Sequence, residues 1–555
     1  MSKVIVKNGI VFDPINKIEG EIKDILIENG KIVERFSNQS DIKEINAKNK
    51  TVIPSAIDIH SHIASQQLNW VRLLGSKHKP FQEYWNNLRL EYIAKEYILN
   101  GYTFILEANV YPSLSKQTIF NFKQLPVLDK AMLLNISNIW ALELEYQREM
   151  VNEASTFLSD LLLKTKGFGF KVYNPFEAEN WNFQKLRNNL TNKGRLFNFS
   201  PIDVYEKIVK YNEVLGLPHS IHVHVEGYEQ NFAKENLRLI LHKIKSLNLI
   251  PNPKNKLNIK RSQIFHLAHA SSYNTDGDNS ELIKFYNENQ EFDLDLGFLG
   301  FDPINPLITS DRRLINSLNT AENPFKVITT AIESEGDAFS TLRTFNKQDK
   351  TDCILWANGI DLALNIKNMW QMQMSINFPN YSHINKIPEI ATLLLSSNAR
   401  KKFLENMNKE FVRNHKIINN DKELTFNDLI ILTRSSPAKS LGIGSVKGNL
   451  GKNADGDLNI LNININEIDT SKDVEKIKKS LESIEYVIKD GKIIKKDDSI
   501  DITSNGKIFW SSGKSEYKEQ KLIMNRKKDF YQKYYSIFYD SLNTFISNEL
   551  LRELN

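Results

Sequence analysis

Cysteine is almost absent from this 555-residue chain, where Cys353 stands alone. A single thiol excludes any disulfide within the chain. It also excludes an iron–sulfur cluster held by this chain's own thiolates, which needs about four of them. Cys353 reads as a small buried hydrophobe, and any redox step in the same pathway takes its electrons through other subunits. Long apolar runs are missing too: none reaches the roughly 20 residues of a membrane helix. The segment Met1–Gly9 reads as a strand and turn, without the apolar core of a signal peptide. The expectation is a cytoplasmic protein with no membrane partner. Excess charge of one sign is lacking as well, since 72 basic residues face 67 acidic ones for a net +5. The lysines are scattered, as around Lys476–Lys479 and Lys489–Lys496, which argues against nucleic acid as the main partner.

What is present is the composition of a folded protein, 41% hydrophobic and 25% charged, at a length that implies at least two domains. Two stretches near the start, Val4-Ile5-Val6-Lys7-Asn8-Gly9 and Asp24–Val33 with its own Asn29-Gly30, set Asn-Gly beside β-branched residues, a hairpin signal. The same texture returns at Gly456–Leu461 and Tyr486–Ile494. The two chain ends are therefore expected to build one small β-sandwich domain from residues 1–52 and 435–505. Between them, over 53–434, short apolar runs alternate with amphipathic helical stretches. Candidate strands fall near 56–60, 103–108, 131–136, 168–173, 220–224, 263–268, 292–297 and 371–376. Eight such runs with helices between them predict an α/β fold, a (β/α)₈ barrel, although their number alone also suits a doubly wound sheet. Residues 506–555, with Phe530, Tyr531, Tyr534, Tyr535, Phe538 and Tyr539, read as a helical tail whose aromatic stripe serves packing.

Seven of the eleven histidines fall in three clusters at predicted strand ends: His60/His62, His219/His222/His224 and His266/His269. Residues two apart in a strand point the same way, so His60 and His62 can reach one cation together. His224 and His269 are the preferred ligands of the later clusters; their neighbours can equally serve as hydrogen-bonding groups inside the barrel. Lys171, within Gly169-Phe170-Lys171-Val172-Tyr173, needs a reason to sit in an apolar strand. Either it snorkels to a rim, or it reacts with carbon dioxide to give a carbamate, an anionic ligand able to bridge two metals.

The order His60-Ser61-His62, strand Lys171, His224, His269 resembles amidohydrolases that carry two metals and a carboxylated lysine. Flanking stretches resemble more closely the family of A-type subunits found in formylmethanofuran dehydrogenase and in the bacterial formyltransferase/hydrolase complex. They include Ile57–Ala64, Gly216-Leu217-Pro218-His219, Trp356–Leu364, Thr433–Gly442 and Lys447-Gly448-Asn449-Leu450-Gly451. This resemblance implies two divalent metals, zinc being the expected ion, one on His60 and His62 and one on His224 and His269, with the carbamate of Lys171 bridging. It also implies a methanofuran-type substrate, with His222 and Asn380 on the substrate side, and partner subunits in a one-carbon complex of methanogenesis or methylotrophy. The reaction implied interconverts formylmethanofuran with formate and methanofuran.

The chain departs from that pattern at three places. Asn377, in Met374-Ser375-Ile376-Asn377-Phe378-Pro379-Asn380, stands where the family has a catalytic aspartate, and an amide cannot accept the proton of attacking water. The loop Val225–Asn231 after His224 lacks the family's Pro-Gly-Asn. Ser55 replaces a glycine. Asp361, in a predicted helix, is too far upstream to substitute for the missing acid. Two other readings follow: a catalytically impaired scaffold subunit of the same complex, and a cyclic-amide hydrolase resembling hydantoinase or dihydroorotase.

Overall fold

The chain is described here from a computed structural model, which covers residues 2–76, 79–176, 190–194, 198–253, 261–301, 307–309, 341–343, 345–513, 515 and 518–554. Eight parallel strands follow one another around a barrel: Ala56–Ser61 (β1), Tyr102–Val110 (β2), Asp129–Asn135 (β3), Gly169–Tyr173 (β4), Ile221–His224 (β5), Phe265–Leu267 (β6), Phe292–Asp295 (β7) and Met372–Gln373 (β8). Each pairs with the next. The ring is brought nearly closed where the His62 N–H donates to the Phe378 carbonyl at 2.8 Å, beside a parallel Ser61–Phe378 bridge. All eight runs expected from the sequence lie at these strands, and the doubly wound alternative is thereby excluded.

The helices between strands show why the pattern is legible. Helix Pro201–Leu215 starts at a Ser200/Asp203 capping box with proline at its first turn, and it ends at Gly216, whose φ of +63° suits a residue without Cβ. Its buried face carries Val204, Tyr205, Ile208, Val209, Tyr211 and Leu215, an apolar stripe at helical spacing. Gly216 turns the chain toward β5, which carries His222 and His224.

The two chain ends meet in one continuous nine-stranded sheet rather than in two separate sheets facing each other. Strand Leu458–Leu461 pairs with Thr51–Pro54 on one edge and with Tyr486–Lys489 on the other. The two early Asn-Gly pairs have different fates. Asn29-Gly30 makes a tight turn, both residues at positive φ (51° and 80°), between Ile18–Glu28 and Lys31–Val33. Asn8-Gly9 does not turn the chain but forms a bulge inside the strand Lys3–Asp13, where the register against Ile18–Glu28 shifts. A Cβ on Gly9 would lie 2.4 Å from Val52 Cγ2, so close approach of the neighbouring strand demands glycine there.

The floor of the barrel is apolar. Ile57, Ile59, Phe104, Leu106, Ala131, Leu133 and Phe168 pack on Ala438, Leu441, Ile443, Phe509 and Leu554. Beneath it, Lys447 Nζ lies 2.5, 2.8 and 2.6 Å from Asp129, Asp455 and Asp457. The stretch 506–555 is not helical throughout. Its helix Gln520–Tyr534 is flanked by strands Ile508–Trp510 and Leu551–Glu553, which extend the barrel sheet from β3. Isolated apolar triplets such as Ile508-Phe509-Trp510 are too short to read as strands without the sheet they join. The aromatic stripe divides: Tyr531 and Tyr539 are buried near Phe157, while Tyr534 and Phe538 are exposed. Among the described residues no helix is long and apolar enough to cross a membrane.

Candidate metal centre

Strand register sets the site. Asn135 lies opposite Lys171, Lys171 opposite His222, His222 opposite His266, and His266 opposite Asp293, a polar row across five adjacent strands. His224 sits two residues further along β5, opposite Tyr173, and Asp295 ends β7 opposite Gln373. In a barrel the C-terminal strand ends form the face where active sites are built.

Four histidines form a continuous series: ring centroids are 5.2 Å apart for His62–His60, 5.1 Å for His60–His269 and 4.9 Å for His269–His224. His224 Nδ1 and His269 Nε2 are 3.0 Å apart. Below this series, His222 Nε2 lies 3.1 Å from His60 Nδ1. Among His60, His222 and Asp295, one ligand atom from each lies within 4.8 Å of the others. Asp295 is held by four donors: His60 Nδ1 at 3.1 Å and His266 Nε2 at 3.2 Å on one oxygen, the His269 N–H at 2.9 Å and the Ser375 hydroxyl on the other. Glu107, in the second half of β2, accepts the N–H groups of Ala64 (2.8 Å) and Ser65 (3.0 Å) and faces His62 Nδ1 at 3.3 Å. A carboxylate only accepts, so His62 Nδ1 carries the proton and its Nε2 keeps the lone pair a metal needs.

The charges follow from burial and neighbours. Burial, aided by Lys171, holds His60 and His222 well below the usual imidazole range, and burial with His224 does the same to His269. These three rings are neutral at pH 7. His266 goes the other way: burial opposes its charge, but Asp293 and Asp295 more than offset this and push it up to about 9. Both its nitrogens face carboxylates (Asp293 Oδ1 at 3.1 Å), so it is an imidazolium clamp and not a ligand. Burial would raise Asp295, yet His60 and His266 hold it well below the usual carboxylate range. Burial pushes Lys171 down to about 7 against the pull of Asp295 and Glu107. Neutral imidazoles, a depressed lysine and buried carboxylates are a donor set that fits a divalent metal centre.

Above the histidines the wall is aromatic. Tyr228 and Tyr381 stack nearly parallel (centroids 5.7 Å apart, 5° between planes), with His269 5.3 Å from Tyr228 and 5.8 Å from Tyr381. The Tyr381 hydroxyl lies 2.6 Å from Ser272 Oγ, itself 3.1 Å from His269 Nδ1.

Known proteins resemble this chain at several levels. The pattern of the amidohydrolase family matches residues 353–495. Protein FwdA of Methanocaldococcus jannaschii is 28% identical over 520 residues, 89% of this chain and 88% of that protein. The A-type subunit of the formyltransferase/hydrolase complex Fhc of Methylorubrum extorquens is 22% identical over 512 residues, 88% of this chain and 89% of the relative. The crystal structure of the Methylorubrum extorquens formyltransferase/hydrolase complex with methylofuran contains a chain that superposes with a TM-score of 0.82, at 20% identity and 99% coverage of both chains. This chain is similar to FwdA and to the Fhc A-type subunit along nearly nine-tenths of its length, and its later part matches the amidohydrolase family.

Of the residues expected from the sequence, His60, His62, His224 and His269 come together as one series, Lys171 lies in the polar row opposite His222, and His222 sits fully buried behind His60. Asn377 lies past the end of β8, and its side-chain oxygen accepts from Asn380 Nδ2 at 3.3 Å. Asn380 in turn accepts from Gln67 Nε2 at 2.8 Å. Asp361 stays in the helix Lys350–Asn365 and binds Asn279. Three acids of the site escape the sequence reading, Asp293, Asp295 and Glu107. The signal for each is an acid inside a strand that a barrel buries on both faces.

Proposed function

We propose that this chain is the formyl-amide hydrolase/ligase subunit of a one-carbon complex, interconverting a formylated methanofuran-type carrier with formate and the free carrier amine. The observation that supports it most is the meeting of His60, His62, His224 and His269 in one series, with Lys171 near enough to act on His60 and His269, in a chain related to FwdA and its Fhc counterpart over nearly nine-tenths of its length. His60 and His62 would hold one divalent ion, His224 and His269 a second, zinc being suited to imidazole. Such ions supply an activated water and polarise the formyl carbonyl. Pushed down to about 7 by burial, the Lys171 amine keeps a large neutral fraction at neutral pH. That amine can attack the carbon of carbon dioxide and release a proton to solvent, and the resulting carbamate would supply an anionic ligand to the ions held by these histidines. Glu107 orients His62, and the Tyr228–Tyr381 pair walls the approach to His269. In hydrolysis the oxygen of water bonds to the formyl carbon, the carbon–nitrogen bond of the formamide breaks, and the protons of that water pass to the departing amine, leaving formate.

A second reading is favoured by one observation. Asn377 cannot accept a proton, and Asp295 is already saturated by four donors. A scaffold subunit that keeps the centre but has lost turnover accounts for both. The assay that decides is formate release from the formylated carrier by the purified complex, with metal content measured on the same sample. Release abolished by His60→Ala supports the enzyme; a fully metal-loaded complex that releases no formate leaves the scaffold.

A further inference from the structure

We infer that His219 and His222 form a relay, anchored on the Ser440 carbonyl at the barrel floor, that fixes His60 as its Nδ1–H tautomer and so presents His60 Nε2 to the metal. The inference rests on His60 being a ligand, as proposed above, and it concerns two histidines outside the expected ligand set.

Four contacts carry it. His219 Nδ1 lies 2.8 Å from the Ser440 carbonyl oxygen. A carbonyl can only accept, so that nitrogen carries the proton, and a neutral imidazole has only one. His219 Nε2 is therefore an acceptor, and it faces His222 Nδ1 at 3.2 Å. His222 must donate from Nδ1, which leaves its Nε2 as an acceptor 3.1 Å from His60 Nδ1. His60 then donates from Nδ1, and the same N–H meets Asp295 Oδ2 at 3.1 Å. Every contact agrees with one assignment. The reverse tautomer at His219 would leave two lone pairs facing each other at Ser440, and a second proton on either ring would set N–H against N–H. His219 and His222 are fully buried, so water cannot supply a substitute partner. Asp295 alone accepts the His60 proton but does not fix the ring plane; a second acceptor from a different strand does. A partner behind a metal-binding histidine commonly changes metal affinity by about 10- to 100-fold.

The test uses the full chain and zinc(II) competed against a chromophoric chelator. His222→Leu, which removes the acceptor, is expected to weaken zinc binding by about 10- to 100-fold. His222→Gln, whose amide oxygen can accept at the same place, should recover most of that loss. Nitrogen-15 shifts of histidine-labelled, metal-free wild-type protein give a readout that no folding defect can mimic: His60, His219 and His222 should all be protonated on Nδ1. Wild-type affinity in His222→Leu, or a proton on Nε2 of His60, overturns the relay. His60→Ala separates the two claims. If it binds zinc as wild type does, the ligand reading fails; if it loses zinc while His222→Leu does not, the relay alone fails.

Discussion

Replacing Lys447 by methionine tests how the small sheet is tied to the barrel. The ammonium of Lys447 is buried among Asp129, Asp455 and Asp457 at 2.5–2.8 Å, and each of the four side chains is at most 4% exposed. Flanking cations reach two of the acids: Lys489 lies 2.9 Å from Asp129, and Arg552 and Lys31 each lie 2.5 Å from Asp455. Methionine fills similar volume but leaves three carboxylates facing one another. Removing one partner of a buried pair costs about 3–5 kcal/mol, a large part of the roughly 5–15 kcal/mol that holds a domain folded. At about 2 °C per kcal/mol for a large domain, the apparent Tm should fall by roughly 6–10 °C at pH 7 and a fixed scan rate.

The pH dependence is specific. Burial would raise Asp129 and Asp455, but Lys447 and its neighbouring cations more than offset it, so both lie below the usual carboxylate range. A depressed acid contributes stability that is fully present above its unfolded pKa, about 3.9, and is lost as pH falls toward the folded value. Burial would lower Lys447, but the three acids more than offset it and raise the ammonium well above the usual lysine range, so it stays charged throughout this window. The gap between wild type and Lys447→Met should thus be widest near neutrality and narrow as pH falls below about 4. Differential scanning calorimetry across pH reads this directly. A fall under about 2 °C at pH 7, or a gap that does not shrink in acid, would refute the electrostatic account.

Other perturbations act on the centre itself. Lys171→Met should lower metal content per chain and abolish any rise in metal loading on adding bicarbonate, measured by elemental analysis; unchanged bicarbonate dependence would refute the carbamate. Glu107→Gln keeps a group beside His62 but removes its charge, so zinc affinity should drop by about 10-fold or more in chelator competition. Asn377→Asp should raise formate release by about 10²-fold or more if a general base is what the wild type lacks; Asn377 sits at a φ of 46°, which aspartate also tolerates, so the fold should be unaffected.

The barrel was legible because its strands are short apolar runs bounded by helices with plain caps, as at Ser200 and Gly216. The candidate ligands were legible because His60/His62 and His222/His224 follow the two-residue period of a strand, and all of them lie within the described residues. Asp295 was hidden by that same period. Glu291-Phe292-Asp293-Leu294-Asp295-Leu296 alternates as an edge strand with one wet face would, and only closure of the barrel turns the acidic face inward. Glu107 ends a run of apolar residues and has no histidine near it in sequence; its partner His62 lies 45 positions away. Asn8-Gly9 was misleading for a local reason: its residues suit a tight turn, but the approach of Val52 makes the glycine necessary inside a continuous strand.

The interior of this barrel is layered, and the layering bears on chemistry. The deeper layer, His219, His222, His266, Asp293 and Asp295, is a hydrogen-bond system in which an imidazolium, carboxylates and neutral rings satisfy one another, tied outward through His60 and the His269 N–H. The outer layer, His62, His269 and His224, carries the remaining candidate histidine ligands, with Lys171 rising toward it from the polar row it shares with His222. A carboxylate wired into the deeper layer is a poor proton acceptor, because taking a proton would forfeit hydrogen bonds from His60 and His266 as well as the attraction of a buried cation. Asp295 therefore stiffens the centre without replacing the acid missing at position 377. Turnover must draw its proton acceptor from the outer layer, from substrate or from another member of the complex, and a centre built this way can bind metal firmly whether or not it turns over.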